Sequence, residues 1–86
     1  MTDWRKIDQY GAFAGEYKGS YEALRSFLLG AGPLGRGLWD VAKVTEPRRE
    51  RLYLCDPQLF VECTVVRLMT PWGDERYVVE DSIRPT

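Results

Sequence analysis

The second half of the chain alternates apolar and polar residues between short turn signals, and this pattern restricts the fold more than any other feature of the sequence. An alternation with a period of two is typical of strands with one buried face. The segments with this pattern are residues 38–45, 50–55, 60–70 and 75–80. Turn signals containing Pro or Gly separate them at residues 46–49, 56–59 and 71–74. The pattern predicts a four-stranded antiparallel β-meander within residues 38–86.

Residues 1–37 have the features of a helical and loop region instead. Asp3 as an N-cap and Gly11 as a C-terminal stop predict a short helix over residues 3–10. Residues 11–19 set aromatic side chains among glycines, which is typical of a loop or a short edge strand.

A stronger helix is predicted between Ser20, a favourable N-cap, and Gly30, which ends it. Its apolar stripe has helical spacing and consists of Tyr21, Leu24, Phe27 and Leu28. Residues 30–37 hold four glycines and one proline and therefore predict a loop. A chain of 86 residues has core enough for one domain. The predicted fold class is a small single-domain α+β protein (residues 1–86), with one or two N-terminal helices packed on the four-stranded antiparallel β-meander.

Residues 77–85 resemble the last strand and closing turn of small SH3-like barrels, an architectural likeness that unrelated proteins share. It implies an SH3-like partial barrel as an alternative form of the sheet, and it implies no ligand. The alternation gives the sheet one buried face, which the helix after Ser20 is expected to cover. The residues predicted on that face are Leu52, Leu54, Val61, Cys63 and Val65. Trp39, at the start of a strand, is expected in the core.

The two cysteines are expected to be neighbouring free thiols. Folding the second hairpin about Leu59 places Cys55 opposite Cys63. Charged residues near the N-terminus interrupt any signal sequence, so a cytoplasmic location is expected, where disulfides are rare. No stretch approaches the roughly 20 apolar residues that span a membrane. The chain has no histidine, so a zinc set is incomplete, and no metal or cofactor is expected.

The charge of the chain gives no field that would attract nucleic acid or an anionic membrane, because 12 basic and 13 acidic residues leave a net charge of -1. Arg48, Arg49 and Arg51 nevertheless cluster at the predicted tip of the first hairpin, where Glu46 and Glu50 dilute their charge. This cluster has three interpretations: a solvated turn, a phosphate contact, or a salt-bridging patch for an acidic protein partner.

Signals for catalysis or nucleotide binding are weak. The glycines in residues 30–35 have the spacing of a dinucleotide fingerprint, but that motif follows a strand and opens a helix, and here the order is reversed. Residues 18–20 precede a helix but lack the spacing of a P-loop. Without histidine there is no His-based acid or base. The chain is expected not to be an enzyme; the enzyme alternative requires a deep cleft that holds an Asp or Glu with a raised pKa.

Trp72 lies at the tip of a predicted turn, where it has no core to reach unless the turn folds back. An exposed Trp near Arg and Tyr has the composition of a protein-interface hot spot. We therefore expect a small protein–protein interaction module whose partner-binding residues are Trp72, Arg48, Arg49 and Tyr53. A stand-alone inhibitor or accessory factor, of the kind that mobile elements encode to occupy a partner's surface, fits this expectation.

The alternative function is a nucleic-acid-binding module that uses the Arg-rich β-hairpin. Salt dependence separates the two, since phosphate binding weakens steeply with ionic strength. A homodimer is a further expectation, formed when an edge strand over residues 75–80 or 38–45 pairs across a two-fold axis.

Overall fold

The computed structural model describes residues 2–31, 38, 40–55 and 58–86. The strands are β1 (Asp3–Ile7), β2 (Phe13–Lys18), β3 (Lys43–Val44), β4 (Arg48–Cys55), β5 (Gln58–Thr70), β6 (Gly73–Val79) and β7 (Arg84–Pro85). Helix α1 spans Tyr21–Ser26 and is followed by a π-helical turn over Phe27–Ala31. A single 3-10 turn, Glu80–Ser82, connects β6 to β7. In the described part of the chain, no helix has the length and apolar character needed to cross a membrane.

The strands form one seven-stranded sheet in which every pairing is antiparallel. Its path is β2-β1-β6-β5-β3, and β4 and β7 also pair with β5. Val65, in the middle of β5, pairs with Arg48 of β4 on one edge and with Val78 of β6 on the other. The long strand β5 is therefore the centre of the sheet, with β4 and β3 along one edge and β7 and β6 along the other.

The prediction of an α+β protein with a four-stranded meander, or an SH3-like partial barrel, is wrong: the chain is mostly sheet with one short helix. The helix predicted over residues 3–10 is strand β1. Trp4 and Ile7 suggested one helix face because they are three residues apart. In the strand they lie on opposite faces, and both are buried because the sheet is covered on both sides. Within residues 11–19, for which a loop or a short edge strand was predicted, Phe13–Lys18 forms the edge strand β2.

The first predicted hairpin is also wrong. Of residues 38–45 only Lys43–Val44 forms a strand, and it pairs with β5 rather than with β4. Thr45 holds the end of β3 in place: its N–H donates to the Arg67 carbonyl oxygen at 2.9 Å, and its Oγ1 accepts from the Arg67 N–H at 3.0 Å. Strands β3 and β4 thus follow one another along the same edge of β5, and Pro47 interrupts one line of pairing instead of turning a hairpin.

The two later hairpins form where they were predicted, between β4 and β5 and between β5 and β6. The register of the first differs from the prediction, because only two residues, 56 and 57, separate its strands and both lie outside the described residues. Cys55 therefore pairs with Gln58, and Cys63 pairs with Glu50. The predicted opposition of the two cysteines is wrong, although both are free thiols.

Two hydrophobic clusters occupy opposite faces of the sheet. The first cluster lies under α1 and consists of Trp4, Leu24, Leu28, Leu29, Leu38, Val44, Val66, Leu68 and Tyr77. The second consists of Ile7, Leu52, Leu54, Val61, Cys63, Val65 and Val78. The helix was predicted to cover the sheet face that carries Leu52 and Leu54. That face packs in the second cluster, whereas α1 covers the first cluster.

Local features of α1 agree with the sequence prediction. Ser20 is the N-cap, and its Oγ accepts from the Ala23 N–H at 3.1 Å. Leu24 and Leu28 are buried, whereas Phe27 remains exposed at the surface. Trp39 and the predicted loop over residues 32–37 lie outside the described residues.

The turn between β1 and β2 closes the sheet around the second cluster by reaching β4. The Cys55 N–H donates to the Gly11 carbonyl oxygen at 3.2 Å. Gly11 has φ +93°, and a Cβ there would collide with the carbonyl oxygen of Tyr53. Only glycine gives both this conformation and this close approach.

Candidate functional site

The outward face of the β4–β5 hairpin is the surface with the most distinctive composition. We call it the hairpin face, and it comprises Arg49, Arg51, Tyr53, Phe60, Glu62 and Thr64. Alternation along each strand produces it, because the intervening residues Leu52, Leu54 and Val61 are buried in the second cluster. The hairpin thus uses one face for the core and leaves an aromatic and charged face in solvent.

Tyr53 and Phe60 form a packed aromatic pair at the end of this face. They are register partners on β4 and β5, with ring centroids 5.3 Å apart and an interplanar angle of 65°, in the favoured edge-to-face range. Their exposed fractions are 41% and 49%. The Arg51 guanidinium lies 4.5 Å from the centroid of the Phe60 ring, in cation–π range. These contacts hold both rings in place while leaving much of each ring accessible.

Glu62 organises the charges of the hairpin face. Its Oε1 accepts from Arg49 Nη2 at 3.1 Å and from Arg49 Nε at 3.3 Å. Its register partners are Arg51 on β4 and Arg84 on β7. Arg49 is further fixed by a 3.0 Å hydrogen bond from Nη1 to the Ser82 carbonyl oxygen. Three arginines and one glutamate thus lie on neighbouring strands here, and Arg49 and Glu62 form an ion pair.

The structure brings together only two of the four residues predicted for partner binding. Tyr53 and Arg49 both lie on the hairpin face. Arg48 precedes Arg49 in the strand and lines a separate cleft of about 380 Å³ with Arg25 and other residues between α1 and β3. Trp72 is 61% exposed in the turn that follows β5, at the end of that strand away from Phe60.

Sequence reasoning missed Phe60, because its place opposite Tyr53 depends on the register of the hairpin. The alternation of residues 60–65 was visible, and a two-residue connection at residues 56–57 would have paired the two aromatic residues. Arg51 was noticed as part of a basic turn, and its contact with the Phe60 ring appears only in the folded hairpin.

A second concave surface lies between the edge strand β2 and α1. It is an apolar hollow of about 180 Å³ lined by Trp4, Tyr17, Lys18, Ala23, Leu24 and Phe27. The Tyr17 ring packs against Phe27 at 5.4 Å and against Tyr77 at 5.6 Å between centroids. Among the described residues of the lining, Lys18 carries a charge.

The described residues offer little for metal binding or nucleophilic chemistry. Within them, no group of three or more His, Cys, Asp or Glu residues could hold a metal ion. Burial raises the pKa of the Cys63 thiol, so less of the nucleophilic thiolate is present at neutral pH. No family model, no curated protein and no solved structure matches the chain.

Proposed function

We propose that the chain is a small protein-binding domain that contacts its partner through the hairpin face. The observation that carries this proposal is the exposed Tyr53–Phe60 pair with Arg51 stacked on it. Single exposed apolar residues are ordinary, but aromatic residues packed beside Arg are the residues enriched at binding hot spots. Because the rings already pack against each other, ordering them on binding costs less side-chain entropy.

The charges around this pair indicate the chemistry of the partner. Arg49 forms an ion pair with Glu62, and Arg51 and Arg84 are the register partners of Glu62 on the neighbouring strands, so we expect an excess of positive charge here. A complementary protein surface would present an apolar pocket for the Phe60 ring and carboxylates around it. The partner is therefore expected to be an acidic protein surface.

A binding domain without its own chemistry acts by occupying a surface. An inhibitor or accessory factor, including the type that mobile elements encode, is the form of this proposal that we favour. We place it in the cytoplasm, since a reducing compartment preserves the free thiols of Cys55 and Cys63. That the chain is not an enzyme stays a prediction.

Affinity capture with the tagged chain from its native lysate, after nuclease treatment and at moderate salt, tests the proposal. The captured partner is then measured against the variants Phe60→Ala and Trp72→Ala by calorimetry. We expect Phe60→Ala to weaken binding by about 2 kcal/mol, or roughly 30-fold, as for a hot-spot aromatic residue. Trp72→Ala, an exposed aromatic residue at the other end of β5, is the matched control and is expected to leave the affinity within about twofold. The reverse order of effects would assign binding to the β5–β6 turn.

The hairpin face also supports a second candidate, single-stranded nucleic acid binding. Bases stack on exposed aromatic rings, and Arg51 beside Phe60, with Arg49 and Arg84 beside Glu62, could track the phosphates. Recovery of nuclease-sensitive material alone would favour this function. Its affinity should then fall steeply with salt, and Arg51→Ala should reduce the salt dependence by about one phosphate contact.

A further inference from the structure

Strand β2 leaves one edge of its backbone without a partner strand. It ends the sheet path, and of the strands that the structure describes only β1 pairs with it. The Gly19 N–H donates to the Thr2 carbonyl oxygen at 2.9 Å, so this pair is a hydrogen-bonded one. Hydrogen-bonded pairs alternate along an antiparallel ladder, which makes Trp4 and Tyr17 the next such pair.

The alternation fixes which backbone groups are available. The Gly19 N–H points toward β1, and by alternation so do the N–H and C=O of Tyr17, so those of Glu16 and Lys18 point away from the sheet. Both side chains are exposed. The register shift in β2 falls at Ala14, so the pairing of residues 15–18 with β1 is regular, and β2 contains no proline.

We propose that β2 pairs with β2 of a second copy of the chain, antiparallel and about a two-fold axis at Tyr17. Glu16 then lies opposite Lys18 of the second copy, and Lys18 lies opposite its Glu16. Each of these pairs exchanges both backbone hydrogen bonds, because all the groups involved point outward. The two seven-stranded sheets become one continuous sheet through this contact.

Charge selects this register over the neighbouring ones. An axis at Glu16 would set two glutamates directly opposite each other, and an axis at Lys18 would set two lysines opposite each other. An axis at Gly15 would pair neither charge with its opposite. Opposite charges stabilise a cross-strand pair, and like charges destabilise it. Of these axes, only the one at Tyr17 places Glu16 opposite Lys18, and the two-fold symmetry produces this pair twice.

Side-chain volumes and apolar exposure agree with the same axis. Gly15 would lie opposite Gly19 of the second copy, in a non-hydrogen-bonded pair where side chains come closest, and neither has a side chain. Tyr17 pairs with Trp4 and so lies on the face that carries α1. The axis therefore brings together the apolar hollows of the two copies and buries the exposed Phe27. No residue of the hairpin face belongs to this β2 contact, so this inference does not rest on the proposed function.

Sedimentation equilibrium of the purified chain from micromolar to millimolar concentration tests the proposal. The wild type should form a dimer as its concentration rises. Glu16→Lys and Lys18→Glu should each raise the dissociation constant by at least about tenfold, since each puts like charges opposite one another twice. An equimolar mixture of the two variants should recover the dimer, because every Lys then meets a Glu.

Two further variants separate this contact from general charge or folding effects. Asp81→Lys makes the same charge change at an exposed site on the 3-10 turn and should leave the dimer unchanged. Glu16→Pro removes an outward-pointing N–H and the Glu16 carboxylate and leaves the hydrogen bonds to β1 in place, so it should give a folded monomer with an unchanged far-UV circular dichroism spectrum. A wild type that stays monomeric, a mixture that does not associate, or a dimer that survives Glu16→Pro would overturn the proposal.

Discussion

Val65 and Val66 are consecutive residues of β5, and each is completely buried in a different hydrophobic cluster on opposite faces of the sheet. A central strand with both faces covered has no solvent-facing side. The first cluster is covered by α1, and the second is enclosed by the curled sheet itself, where the β1–β2 turn reaches β4. The stability of the chain therefore depends on two small cores that share one strand.

Shortening either valine should destabilise the protein by a similar amount. Val65→Ala and Val66→Ala each remove two buried methyl groups, which should lower the free energy of unfolding by about 2 kcal/mol. Met69→Ala, at an exposed position of the same strand, is the control and should change it by less than about 0.5 kcal/mol. Urea denaturation followed by tryptophan fluorescence measures these differences. If Val65→Ala proved neutral, the second cluster would not be a core.

Burial on both faces also explains which strands the sequence predicted. Most of β5 and β6 lies within the predicted strands at residues 60–70 and 75–80, because the turn signal at residues 71–74 separates these two segments. Strand β1 was missed, because its buried residues Trp4 and Ile7 imitate a helical spacing. A period of two identifies strands that are buried on one side, and it fails where consecutive residues such as Val65 and Val66 are both buried.

The candidate site could be predicted only in part, for a reason of register. Composition was enough to select Tyr53 and Arg49, but it could not pair Tyr53 with Phe60. A hairpin centred on Leu59 and one with a two-residue connection after Cys55 have the same strands and different cross-strand neighbours. Because the site consists of cross-strand contacts, the length of the loop determines which side chains become neighbours. The local propensity of each strand does not.

Gly11 should tolerate alanine less well than Gly73, although both have positive φ, +93° and +139°. The strained conformation costs each variant about 1–3 kcal/mol. A Cβ at Gly11 would in addition collide with the Tyr53 carbonyl oxygen, whereas a Cβ at Gly73 has no heavy atom within 4 Å. Thermal unfolding of Gly11→Ala and Gly73→Ala measures the difference. Equal melting temperatures would contradict the close approach of the β1–β2 turn to β4.

The two thiols should react at different rates. Cys55 is half-buried at the end of β4, whereas Cys63 is buried in the second cluster and burial raises its pKa. A water-soluble thiol reagent should therefore modify Cys55 quickly in the native protein. It should modify Cys63 only after the protein is unfolded in urea. Cys55→Ser should remove the fast phase, and Cys63→Ser should leave it. A fast phase that disappears with Cys63→Ser would show that the second cluster opens to solvent.

Acid should weaken the β1–β2 turn through Asp8. The Asp8 carboxylate accepts hydrogen bonds from the Ala12 N–H at 3.0 Å and from the Tyr10 N–H at 2.8 Å. These bonds lower the pKa of Asp8, and the bond from Ala12 contributes most. A carboxylate whose pKa is lowered on folding stabilises the native state fully above its unfolded pKa of about 3.9. That stabilisation is lost as the pH falls through the lower, native pKa.

Asp8→Asn removes the ionisable group and keeps one oxygen that can accept these hydrogen bonds. The variant should be less stable than the wild type at neutral pH, and the difference should shrink below about pH 4, because protonation then takes the same charge from Asp8. Urea denaturation of both proteins at a series of pH values from neutral to strongly acidic gives the two stability curves. Curves that run parallel across this range would mean that ionised Asp8 does not stabilise the turn, whereas converging curves would assign the acid sensitivity of the turn to this carboxylate.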